Sequence, residues 1–113
     1  TVNIQIGSGS TLSSGYLGAG QNLTTGPASG VQVASSAWII NSSTAANALY
    51  GSAVLYALGN NAWIISGSFN QSATASSFLN GSATLSGALD RVIITASGTN
   101  TFDAGYLNIN YQG

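Results

Sequence analysis

The sequence predicts an all-β fold, a β-sandwich or barrel, on three observations. Thr1 to Ile6 alternates, with Val2, Ile4 and Ile6 on one face and Asn3 and Gln5 on the other, the period of a half-buried strand. Gly, Ser, Thr and Asn fill 54 of the 113 positions, and no charged i,i+4 pair exists, so helix is disfavoured. Six or seven short apolar segments are separated by turn residues, which is the spacing of small all-β domains.

The elements follow in order. After the first strand, Gly7 to Gly30 holds seven glycines and the only proline, Pro27, and reads as loops with at most a short strand near Gly15 to Leu17. Strands are then expected over Val31 to Ile40, Ala48 to Leu58, Ala62 to Phe69, Ser82 to Leu89, Arg91 to Ala96 and Gly105 to Tyr111. Gly59-Asn60-Asn61 predicts a tight turn, because Gly and Asn tolerate positive φ. Asn80-Gly81 is a second turn signal. Ala37-Trp38-Ile39-Ile40 recurs as Ala62-Trp63-Ile64-Ile65, and Leu49 to Leu55 is echoed by Leu79 to Leu85. The offsets differ, so no solenoid is implied; similar strands in two facing sheets or chance in a small alphabet both account for the echo.

At 11.2 kDa the chain is one domain, residues 1–113, and a folded monomer of that mass exposes about 5,700 Å². It has 44% apolar residues and 3% charged ones, against about 25% charged in ordinary domains, and this balance is not that of a disordered chain. A single Arg and a net charge of -1 provide no footprint for nucleic acid. Without His or Cys, zinc, copper and haem sites lack their ligands, and no disulfide can form. Serine nucleophiles lack a His, Lys or Glu base. The longest purely apolar run is Ala53 to Leu58, far short of the roughly 20 residues of a membrane helix. A non-enzymatic structural or binding module without cofactor, metal or membrane insertion is the expectation.

The C-terminal quarter carries the most specific pattern: Leu89-Asp90-Arg91, the apolar strand Val92 to Thr95, Gly98-Thr99-Asn100-Thr101-Phe102-Asp103-Ala104-Gly105, then Leu107-Asn108-Ile109-Asn110-Tyr111. It resembles the C-terminal signature of tailed-phage virion proteins of the tail-fibre and receptor-binding kind. The likeness is sharp over about 25 residues and diffuse upstream, through Ser13-Ser14-Gly15-Tyr16, Ala48 to Leu58 and the Trp63 strand. Ile93 stands where that family usually has Arg, and Gln112 where it often has Glu, so this chain has less charge there. The resemblance implies a jelly-roll-like antiparallel β-sandwich on a virion surface, usually a trimer, and relatives that are longer upstream, so that this chain would be a small complete protein or the C-terminal part of a larger one.

All three charges lie in this signature. Asp90 and Arg91 are neighbours expected on opposite faces of a strand, so the reading of the residues pairs Arg91 with Asp103 across the last hairpin. A paired-carboxylate hydrolase site from Asp90 and Asp103 is the competing reading, disfavoured because such sites need a cleft with more polar support. A calcium site of one Asp plus carbonyl oxygens is disfavoured too, because the chain has only two carboxylates. Trp38 and Trp63 read as core or subunit interface. Tyr16, Tyr50, Asn60, Asn61 and Tyr106 are the candidate glycan contacts, set against a plain reading as turn chemistry. The four sequons, at Asn22, Asn41, Asn70 and Asn80, are no excess over the three or so that this composition produces by accident.

Two functions follow. One is a tail-fibre or receptor-binding head contacting host-surface glycan; the other is a capsid-decorating (cement) protein or self-assembling extracellular filament subunit. In both, the partners are other virion proteins and the chain itself. Along Ala48 to Leu58 both faces are apolar, so one face is expected in the core and the other against a neighbouring subunit. An obligate homo-oligomer is therefore expected, burying Tyr50 or a Trp-Ile-Ile strand.

Overall fold

The alternating N-terminal segment forms β1 (Val2–Ser8), the central strand of a four-stranded sheet. The computed structural model describes residues 1–25, 30–42, 46–98 and 101–111. Along one side of β1 runs β9 (Arg91–Ala96), with Val2 opposite Ala96 and Gly7 opposite Arg91. Along the other side, β2 (Ser10–Thr11) and β5 (Trp38–Ile40) take opposite ends of β1, so this sheet is three strands wide. The second sheet is five strands wide, in the order β4 (Gly30–Gln32), β3 (Leu17–Thr24), β8 (Ala75–Thr84), β7 (Ala62–Ser72), β6 (Tyr50–Gly59). Every pairing is antiparallel. The molecule is an all-β sandwich, as the alternation and turn residues predict.

The core is where the two sheets face each other. Ile4, Ile6, Trp38 and Ile40 come from the first sheet, Ile65, Leu79 and Ala83 from the second, and Tyr16 and Leu85 from the connections. Fully burying a side chain of this size contributes about 1.5–3 kcal/mol. Tyr16 packs edge-on against Trp38, with centroids 5.1 Å apart and rings at 81°. Its hydroxyl accepts from the Ile6 N–H at 2.9 Å and faces the Ile6 and Leu12 carbonyls at 3.1 and 3.0 Å, tying the loop after β2 to β1. In the repeated Ala-Trp-Ile-Ile segments, the Trp and the second Ile turn inward in both, Trp38 and Ile40 from one sheet, Trp63 and Ile65 from the other. The Ala-Trp-Ile-Ile echo thus falls on strands of opposite sheets, whereas the echo of Leu49 to Leu55 in Leu79 to Leu85 falls on β6 and β8 of one sheet.

The turn at Gly59-Asn60-Asn61 is present: Asn60 and Asn61 have φ of 54° and 60°, and Gly59 lies opposite Ala62. Several expectations need correction. The glycine-rich stretch is not all loop, since β3 spans eight of its residues. The glycines inside β3 serve close approach rather than turning: a Cβ on Gly20 would strike the Ile39 carbonyl across the sandwich. Asn80-Gly81 is no turn but the middle of β8, where a Cβ on Gly81 would enter the Trp38 ring. The hairpin bend falls instead between β7 and β8. Val31 to Ile40 is not one strand; β4 and β5 belong to different sheets. Gly105 to Tyr111 forms no strand and is exposed, because no neighbouring strand receives it. Pro27, Thr99, Asn100 and Gln112 lie outside the described residues.

Candidate functional site

The two carboxylates and the guanidinium do not assemble as expected. Arg91 Nε donates to Asp90 Oδ1 at 2.8 Å, and no ion pair joins Arg91 to Asp103. Neighbours point to opposite faces only inside a regular strand, and Asp90 precedes the first residue of β9. Its other oxygen accepts from the Gly9 N–H at 2.7 Å. The Arg91 hydrogen bond first, and the Gly9 amide second, hold the Asp90 carboxyl below its ordinary range. Asp103 sits in the exposed segment after β9 and holds no ion pair among the described residues. The described residues contain no cluster of His, Cys, Asp or Glu that could hold a metal, and no helix long and apolar enough to cross a membrane.

The candidate glycan contacts do not converge. Tyr16 is 2% exposed and is a core residue, contrary to expectation, because its ring closes the Trp38 edge and its hydroxyl is taken by β1. Tyr50 opens β6, whereas Asn60 and Asn61 lie past its far end, about 33 Å away along an extended strand. Tyr106 is fully exposed on the C-terminal segment. Of the sequon asparagines, Asn22 and Asn41 are buried. Gln71 Nε2 donates to Asn22 Oδ1 at 3.0 Å and to the Asn41 carbonyl at 2.9 Å, while Asn41 Nδ2 donates to the Gly30 carbonyl at 3.2 Å. That network clamps β3, β4 and β7 to the segment after β5.

Two shallow depressions mark the surface. One, of about 430 Å³, lies over β3 and β8 between Leu17, Gln21 and Asn80. The other, of about 470 Å³, is lined by the serines and threonines at 8, 10, 11, 13, 84 and 86 together with Leu12 and Leu85. Neither lining holds a carboxylate or a base.

The larger feature is the second sheet itself. None of its five strands carries Asp, Glu, Lys or Arg. The register places Val31, Leu17, Leu23, Phe78, Ile64, Val54, Tyr50 and Tyr56 on its outer face, interleaved with Ser, Thr, Asn and Gln. At its edge β6 is exposed on both faces apart from Leu55, with Tyr50 at 69%, Val54 at 46%, Tyr56 at 52% and Leu58 at 62%. Edge strands are ordinarily blunted by Lys, Pro or brevity, and β6 has none of these over ten residues. Sequence reasoning saw the two apolar faces but assigned one to the core. The readable signal for an open edge was the missing gatekeeper. Comparisons with protein-family models, curated proteins and solved structures return no match.

Proposed function

We propose that this protein is a non-enzymatic structural subunit of a virion surface or a comparable extracellular assembly, working as a homo-oligomer. The observation that carries this reading is the uncharged, partly apolar second sheet with its open β6 edge. The chain exposes 7011 Å², about 1,300 Å² more than a folded monomer of its mass ordinarily does, with the exposed segment 101–111 contributing beside the second sheet, and a standard interface covers about 800 Å² per partner. Uncharged hydroxyl and amide groups can meet a neighbour without desolvating any ion. The virion setting rests on the resemblance of the C-terminal signature alone.

Light scattering at low micromolar concentration tests the reading. A defined oligomer that persists from low to high salt is expected, since screening has almost no charge to act on. A stable 11 kDa monomer, or dissociation on adding salt, overturns it. A tail-fibre role with glycan contact is the second reading, favoured by the depression that Ser8, Ser10 and Thr84 line beside Leu12 and Leu85. Binding on a glycan array, weakened by Ser10→Val, would support it.

A further inference from the structure

We infer that β6 pairs antiparallel with β6 of a second copy across a two-fold axis centred on Val54, joining two five-stranded sheets into one of ten strands. The inference rests on the assembly reading above and names the contact. Among the described residues β6 hydrogen-bonds to β7 on one side only, so the peptide groups directed to its other side have no strand partner there. Such a row of donors and acceptors is satisfied by another strand. The occupant must be uncharged, apolar on both faces and extended, because β6 offers no ion to match and is exposed on both faces. A second β6 meets all three requirements.

The register is also self-complementary. An antiparallel two-fold keeps the outer faces of both copies on one side. Centred on Val54, it places Val54 against Val54, Ser52 against Tyr56 and, on the inner face, Ala53 against Leu55 of the other copy. Tyr56 thus meets a serine, Leu55 an alanine and Val54 its own copy, with no like charges opposed. The bulge between Ala57 and Gly59 lies beyond this central run, so the run itself is regular.

The chain has no cysteine, which makes the test direct. Val54→Cys should give a disulfide-linked dimer on mild oxidation, because directly opposed residues sit about 4.5–5.5 Å apart at Cα, within disulfide reach. Ser66→Cys, one strand inward on the same face, should not. Val54→Lys should weaken association by roughly tenfold or more, and an equimolar mixture with Val54→Glu should restore it. Circular dichroism of each variant should match the wild type, as Val54 is half-exposed. A wild-type oligomer whose mass Val54→Lys leaves unchanged overturns the edge pairing while the assembly reading stands; a monomeric wild type removes both. Loss of association on deleting residues 101–111, with no crosslink at position 54, would make that segment the occupant and overturn self-pairing.

Discussion

Two segments with the same four residues end in different surroundings. Trp38, in Ala37 to Ile40, is buried between Tyr16 and the backbone at Gly81 and donates its indole N–H to the Ser82 carbonyl at 3.3 Å. Trp63, in Ala62 to Ile65, points to the same interior but is only half-buried. The residues are identical, so the difference lies in what stands across from them. The first sheet is three strands wide and the second five, so the β6–β7 hairpin overhangs its cover. Burial here is a property of the facing layer, not of the segment.

That contrast can be broken most forcefully at the covered end. Trp38→Ala should cost about 3–5 kcal/mol in urea unfolding, whereas Trp63→Ala should cost less than half as much. Equal losses would mean that the overhang is covered in solution. Tyr16→Phe comes next, at about 1–3 kcal/mol, because it leaves the buried Ile6 N–H without its acceptor. Burial raises the Tyr16 hydroxyl above its ordinary 10.0, with the Ile6 hydrogen bond opposing that shift. Its contribution is therefore fully present below pH 10 and lost as pH rises through the folded value, an alkaline dependence that Tyr16→Phe should flatten.

Smaller effects sharpen the same comparison. Asn61→Ala at the hairpin tip should cost about 1 kcal/mol by forcing alanine into positive φ, and Asn61→Gly should not. Ser77→Ala should change stability by no more than about 0.5 kcal/mol in either direction, since the buried Ser77 hydroxyl has no hydrogen-bond partner to lose. Asp103→Asn should be smallest of all, within about 0.5 kcal/mol, because the carboxylate is exposed and holds no ion pair. A larger loss there would restore the pairing with Arg91.

Local chemistry was legible wherever one residue type had one use. The alternation of Val2, Ile4 and Ile6, the Asn60-Asn61 turn and the bounds of β9 all follow from the residues themselves. Glycine defeated the reading because it has two uses. In Gly18, Gly20 and Gly81 it admits another backbone or a ring rather than reversing the chain, and only the facing layer distinguishes the two. The Arg91 pairing with Asp103 failed because it needed a last hairpin beside β9, and residues 101–111 form no strand; Asp90, just before β9, takes the guanidinium instead. Of the candidate site, the chargeless apolar strand was visible, but its position at an edge was not.

The pairing of Val2 with Ala96 also sets an order of events in synthesis. β6, β7 and β8 are joined by short turns and can zip as they emerge, each pairing with the strand just made. The other sheet must wait, because β1 lacks its longest partner until the last of these strands, β9, has left the ribosome. For that interval the nascent chain presents a finished meander with its β6 edge open and half its sandwich missing. On a polysome, where sister chains grow side by side, that edge can find its counterpart before either molecule has closed.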